Sequence, residues 1–445
     1  MGFQIAYVPV GVGTFHLESA QAQFDASVRL LNELSDDVVC PDGMLLTIEA
    51  LTGFLKDLHP DLIIFQNITF ANAAYASEVL KRFSAPIVLW TLREPVIDGG
   101  RLRLNSLTGA YSAANAIHAF RDGEFEYVYG GPAEAEVRRE LSAAVDAAKV
   151  RYDLQHLKMA AIGQTPQGFG FGRALDAELM SVFGVTLESI EARELINQAK
   201  ALTVEDCQAE AEEAGRTLVG LDQTPDRNRT DFLRLYKAYK DYVVNNGIQA
   251  LSSRCWPDFF TDFGTPVCGV LSLLNANGIA ASCESDVYGA LSMYIGQAFS
   301  GQAAFFGDPV SLDEDEGTIT FWHCGMAACS LARTDTGAQV GVHPNRKIGP
   351  VMDFGCRASD EATIFRVGRK KDGSFRFFIA EGRILDKPKQ FCGTSIVVQT
   401  DTPAKDVVHQ SVKAGWEPHY VVLYAAAADR LEKLGHMLGL EVCRF

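Results

Sequence analysis

Continuous apolar runs that alternate with stretches of helical spacing constrain this chain more than any other feature. Residues 4–10, 61–65, 85–90, 125–130 and 158–163 are such runs, and residues 19–34, 71–83 and about 132–156 between them carry apolar side chains at helical intervals. A strand that is apolar on both sides must be covered on both faces, and helices between successive strands supply that cover in a parallel sheet. The pattern continues through helices at 205–215 and 226–245, a strand at 248–253, a helix at 267–277, a strand at 279–283 and a helix at 286–299. After about residue 307 the texture changes. Residues 318–322, 363–367, 374–384 and 394–399 are β-like, with Gly, Asp and Pro between them, and 362–379 reads as a hairpin turning at 369–373. A helix at 404–414, a strand at 419–423, a helix at 427–437 and a strand at 440–444 close the chain. The expected fold class is α/β: two Rossmann-like parallel-sheet domains, residues 1–155 and 156–305, followed by a smaller, mainly β domain, residues 306–445. A length of 445 residues suits about three domains.

Composition excludes several functions. With 47% apolar and 22% charged residues the chain is an ordinary globular protein with large cores. Its net charge of −16 repels phosphate backbones, so nucleic acid is not an expected partner. The start lacks a basic segment before its apolar run and does not read as a signal peptide. The long uncharged stretches 264–283 and 287–307 are broken by Asn, Ser and Gln, so they read as core rather than as membrane spans. Ten cysteines without any C-x-x-C read as free thiols of a cytoplasmic protein. Gly11-Val12-Gly13 follows the first strand, but His16 stands where a dinucleotide fingerprint needs its third glycine.

Five short motifs in the second half place chemically active residues at the mouths of apolar elements. They are Cys255-Trp256-Pro257, Cys283-Glu284-Ser285-Asp286, Gly307-Asp308-Pro309, His323-Cys324-Gly325 and Pro418-His419-Tyr420. Carboxylates and imidazoles are the ligands of a hard or borderline divalent cation, and Glu284, Asp308, His323 and His419 are of those types. Each also has an ordinary reading. Glu284 suits the first turn of a helix, Asp308 before proline suits a turn, and both histidines suit a buried site satisfied by hydrogen bonds. Asp286 suits a helix cap, and Trp256 suits a core.

In this order the motifs resemble the L-fucose isomerase and L-arabinose isomerase superfamily, particularly its shorter fucose-isomerase-like members. The likeness runs through Ser253-Arg254-Cys255-Trp256-Pro257, Ser282-Cys283-Glu284-Ser285-Asp286-Val287-Tyr288-Gly289-Ala290-Leu291, Gly307-Asp308-Pro309, Trp322-His323-Cys324-Gly325 and Gly415-Trp416-Glu417-Pro418-His419. It covers most of the C-terminal two thirds; the N-terminal third shares only its α/β texture. The resemblance implies an aldose–ketose isomerase that uses Mn²⁺, with Glu284, Asp308 and His419 as ligands. The spacing of 24 residues between Glu284 and Asp308 is similar to the family's. His323 falls where arabinose isomerases carry a further ligand, and it is either a ligand or a neighbour of one.

The chemistry explains the residue types. Moving a proton between C2 and C1 of an open-chain sugar passes through a cis-enediol. A cation on the sugar oxygens stabilises the developing charge while a carboxylate takes and returns the proton. Glu284 and Asp308 are the expected pair, with Trp256 as an aromatic wall and Arg254 as a further substrate contact. The resemblance also implies a homo-oligomer, a hexamer, in which the N-terminal domain of one subunit covers the site of another. His16, Arg93 and Asn105, on expected loops after strands, are the candidates for that role. L-fucose, D-arabinose, related deoxy or modified hexoses and the sulfonated hexose sulfoquinovose all fit these motifs. A sulfonate needs cationic or backbone donors, and Arg93, Arg101, Arg103 and Arg254 are the candidate arginines. The alternative from another class is a sugar-binding or regulatory protein of the same fold without catalysis.

Overall fold

A computed structural model describes residues 2–121 and 125–445. They form two compact units, Met1–Asp153 with Asp429–Leu440, and Leu154–Ala428 with Glu441–Phe445.

The first unit contains β1 (Ile5–Val10), α1 (Leu17–Leu34), β2 (Val38–Val39), α2 (Ile48–Leu55), β3 (Leu62–Asn67), α3 (Ala73–Leu80), β4 (Ile87–Thr91), α4 (Ser106–Phe120), β5 (Glu126–Tyr129) and most of α5 (Ala135–Leu154). Its five strands are all parallel, in the order β2-β1-β3-β4-β5. Period-2 alternation explains why β1 is apolar throughout. Ala6, Val8 and Val10 enter one core and Ile5 and Tyr7 the other, so both faces of the strand are buried.

The second unit begins with β6 (Lys158–Ile162), α6 (Asp176–Phe183), β7 (Thr186–Ile190), α7 (Ala192–Ala201), α8 (Gln208–Thr217), β8 (Leu218–Val219), α9 (Asp226–Asn246), β9 (Ala250–Ser253), α10 (Cys268–Ala276), β10 (Ala280–Cys283) and α11 (Val287–Ser300). Strands β10-β9-β6-β7 form a second parallel sheet. Next come β11 (Phe305–Asp313), β12 (Thr318–His323), β13 (Ala338–Gly341), β14 (Val351–Met352), β15 (Ser359–Arg369), β16 (Phe375–Ile384), β17 (Thr394–Thr400), α12 (Ala404–Lys413) and β18 (Tyr420–Leu423). The chain ends with α13 (Ala428–Met437) and β19 (Glu441–Arg444). The order β15-β18-β11-β12-β17-β16-β19, with a further β15–β16 pairing, closes six antiparallel strands into a barrel-like sheet. Closure leaves those strands without a free edge.

Two local expectations are corrected. Asn105 does not lie in an open loop: it is the N-cap of α4, with left-handed φ of 54°, and Ser106 to Gly109 are helical. The cause is tertiary, because the Glu94 carboxylate accepts from the backbone N–H groups of Arg103, Leu104 and Asn105 and so fixes the chain just before the helix. Asp308 is not a turn residue either. It sits inside β11, opposite Trp322 of β12, beside a register shift between Pro309 and Ser311. Such bulges re-aim side chains and occur beside active sites.

Candidate active site

Four elements of the second unit deliver the site. After β10 the backbone takes two successive left-handed residues, Glu284 at φ 60° and Ser285 at φ 54°, before Asp286 begins α11. Non-glycine residues in this region cost on the order of 1 kcal/mol or more each, so the surroundings must hold them. They do: the Ser285 N–H donates to the Ser253 carbonyl at 3.0 Å, and the Ser282 hydroxyl donates to the Asp286 carbonyl at 2.6 Å. Glu284 therefore projects from the carboxyl end of a parallel strand, where open α/β sheets place ligands.

The barrel supplies the rest. Gly307 in β11 pairs with Tyr420 in β18, which brings Asp308 beside His419. Gly307 has no alternative there, since a Cβ would lie 2.5 Å from the Trp322 carbonyl oxygen. His419 Nε2 is 3.2 Å from Glu284 Oε2 and 3.5 Å from Asp308 Oδ1. His323, at the end of β12, has its ring centroid 5.8 Å from that of His419. One ligand atom from each of Glu284, His323 and His419 lies within 4.8 Å of the others. Phe306 packs 4.7 Å from the His419 ring and Phe171 5.3 Å from it, so the cluster has an apolar wall.

Asp286 organises this cluster. Its Oδ1 caps α11 by accepting from Gly289 N at 2.9 Å, as expected from sequence. The unexpected part is its other partners. Arg366 of β15 reaches it with two hydrogen bonds, of 2.6 and 3.0 Å, and His419 Nδ1 lies 2.9 Å from its Oδ2. Arg366, Asp286 and His419 are all buried. With Nδ1 held by a carboxylate, His419 turns Nε2 toward Glu284 and Asp308 (the carboxylate–imidazole arrangement that orients metal ligands). The only sequence signal for Arg366 was a lone cation inside an apolar strand.

The charges follow from these contacts. Burial pushes Asp286 up, but Arg366 and His419 outweigh it and hold the carboxylate ionised, well below its usual range. Burial likewise pushes Glu284 up, yet His419, His323 and Trp256 bring it below the ordinary value. Asp308 has less help: burial and the two neighbouring acids, opposed only by His419, push it up to about 6. Burial lowers His323 to about 4. For His419 burial is outweighed by hydrogen bonds to Asp286 and Glu284, and its value rises to about 9.

A raised histidine stabilises the fold fully below its unfolded value near 6.5, and the contribution disappears as pH climbs through about 9. Chelator-treated protein should therefore lose thermal stability between pH 6.5 and 9.5. His419→Asn, which cannot titrate, should show a flatter profile over the same window; an equal slope in both would contradict this assignment.

The remaining sequence candidates are placed as follows. Trp256 is partly buried against Phe169, with centroids 6.3 Å apart. Arg254 is committed to Asp258 at 2.8 Å and to the Trp256 carbonyl. His16, Arg93 and Asn105 belong to the first unit and have local partners. His16 Nδ1 caps α1 by accepting from Ser19 N, Arg93 pairs with Glu134 at 2.9 Å, and the Asn105 side chain accepts from Thr108. Arg101 donates to the Thr14 carbonyl.

The donor set fits a divalent ion on the structure's own terms. Two imidazoles and a carboxylate converge, a second carboxylate stands beside them, and His323 Nδ1 is buried without a hydrogen-bond partner. No helix among the described residues is long and apolar enough to cross a membrane.

No family model matches the chain. It is 65% identical over 439 residues, 99% of this chain and 98% of the relative, to a sulfoquinovose isomerase of Clostridium sp. (strain MSTE9). Sulfoquinovose isomerases of Priestia aryabhattai and Alkalicoccus urumqiensis are 38% and 34% identical, each over 441 residues and 98% of both chains. With an acid–imidazole cluster at its strand ends and relatives of this kind, the protein is an enzyme, a sugar isomerase that interconverts an aldose and a ketose. The chain belongs to the sulfoquinovose isomerase family. Membership in a family of enzymes removes the alternative of a binding protein without catalysis.

Proposed function

We propose that this enzyme converts sulfoquinovose to the corresponding 2-ketose, using Mn²⁺ or a similar divalent ion held by Glu284, His323 and His419 with Asp308 beside them. The observation that carries the reading is the convergence of those three ligand atoms within 4.8 Å of one another, with a second carboxylate, Asp308, 3.5 Å from His419. End-to-end likeness to proteins named for this sugar supports the substrate. The ion would supply Lewis-acid stabilisation of charge on the C1 and C2 oxygens.

The chain's own residues do the rest. Glu284, held ionised by its imidazole neighbours, can accept the proton from C2, and Asp308, at about 6, can carry one near neutral pH. Environments that push two carboxylates apart suit them to complementary base and acid duties. Phe169, Phe171 and Phe306 exclude water from one side of His419. The same reading includes membership in the fucose/arabinose isomerase superfamily and a cytoplasmic homo-oligomer. It also includes the three domains 1–155, 156–305 and 306–445, the first two Rossmann-like. His16, Arg93 and Asn105 of one subunit would then approach the site of the next.

The test is a panel of aldoses with Mn²⁺, followed by NMR: sulfoquinovose, D-glucose, L-fucose and D-arabinose. Sulfoquinovose should give its ketose with the highest kcat/KM. Preferential conversion of an unsulfonated sugar would reject the proposed substrate.

A further inference from the structure

The mechanism above accounts for C1 and C2 of the substrate and leaves the far end of the sugar without a partner. A sulfonate is an anion with three acceptor oxygens, and it calls for a cation whose N–H groups are not already committed. Most arginines around the site are committed: Arg254 to Asp258, Arg366 to Asp286 and Arg369 to Glu178. Arg346 is different. Its guanidinium carbon lies 5.7 Å from the Trp256 ring centroid and 5.8 Å from that of Phe260, and no carboxylate among the described residues pairs with it. Stacking uses the flat face of a guanidinium and leaves its N–H edge free to donate to an anion. The Trp256 indole also helps to hold the Glu284 carboxylate below its ordinary value, so one indole neighbours both the acid cluster and the arginine.

The segment carrying Arg346 is built to hold it. Between β13 and β14, His343 is buried edge-on against Phe260 at 5.1 Å, and its Nδ1 accepts from the N–H groups of Asn345 and Arg346, both at 3.3 Å. His343 N donates to the Ile348 carbonyl and Lys347 N to the His343 carbonyl, which closes the turn with Lys347 at φ 58°. The buried imidazole thus fixes the backbone of an otherwise exposed arginine.

Resting on the proposed substrate, we propose that Arg346, stacked on Trp256, binds the sulfonate of the sugar and sets the preference for sulfonated over unsulfonated aldoses. The competing cation is Arg173, which donates to Thr165 and lines a separate cavity of about 240 Å³ with Gln164, Ser189 and Ser285.

The experiment compares wild type, Arg346→Gln, Arg346→Lys and Arg173→Gln on sulfoquinovose and on D-glucose, which carries a hydroxyl in place of the sulfonate. Arg346→Gln should raise KM for sulfoquinovose roughly 10- to 100-fold, as expected for loss of a charged hydrogen-bonded pair. The change should fall on KM rather than kcat, and the preference for sulfoquinovose over D-glucose should shrink by a similar factor. Arg346→Lys should recover part of the loss, because it keeps the charge without the planar fork. A KM within twofold of wild type in Arg346→Gln, or a larger rise in Arg173→Gln, overturns the assignment while leaving the proposed function standing. Absence of sulfoquinovose turnover in the wild type overturns the proposed function and this assignment with it.

Discussion

Glu284→Gln should fold normally and lose about 10²- to 10⁴-fold in kcat/KM, the usual contribution of a positioned general acid–base group. At 1.36 kcal/mol per decade this corresponds to roughly 3 to 5 kcal/mol of transition-state stabilisation. The amide is nearly the same size as the carboxylate, so the left-handed turn at residues 284 and 285 has no reason to rearrange. What disappears is a negative charge facing His419 and His323, and with it both the proposed proton acceptor and one ligand of the proposed cation. Steady-state kinetics and a thermal melt of the same preparation separate the two effects. A variant with wild-type turnover would remove Glu284 from proton transfer. A variant that is inactive because it has unfolded would instead assign the residue to the architecture of the turn.

Arg366→Met should be the most destabilising single change among the residues named here. Its side chain is 0% exposed and its partner Asp286 is 1% exposed, so the substitution strands a buried carboxylate whose remaining cationic neighbour is His419. Removing one partner of a buried pair costs about 3 to 5 kcal/mol. For a unit of this size that is a fall in Tm of roughly 6 to 20 °C. The damage should be largely repaired by adding Asp286→Asn, which removes the stranded charge; equal instability in single and double variants would show that packing rather than charge is responsible. Metal affinity should fall in the double variant as well, because Asp286 no longer fixes the orientation of His419.

The two predictions show where sequence reading reached and where it stopped. Continuous apolar runs made β1, β3, β4, β6 and β9 legible, since strands buried on both faces leave no other pattern. The cap at Asp286 was legible too, because it is local: its acceptor and the Gly289 donor are three residues apart. Its bond to Arg366 spans 80 positions and joins a helix to a barrel strand, and nothing in the sequence between them encodes that pairing. For Asp308, expected as a ligand and acid, the ordinary alternative was a turn because proline follows it, and only the register between β11 and β12 makes a bulged strand of that segment. The start of α4 was missed for a related reason, since Glu94 caps its approach from another loop. Phe169, Phe171 and Phe306 border His419 from distant segments, and aromatic residues carry no mark that distinguishes such a wall from ordinary core. Arg346 was passed over because its proposed role depends on Trp256 and on a histidine-braced turn.

Conversion of sulfoquinovose by chelator-treated protein, followed by NMR before and after adding Mn²⁺, tests the central claim most directly. The acid–imidazole cluster predicts no ketose from the metal-free enzyme and restored turnover once the ion is returned. Full-rate conversion by the stripped protein, or none after metal is restored, would contradict it.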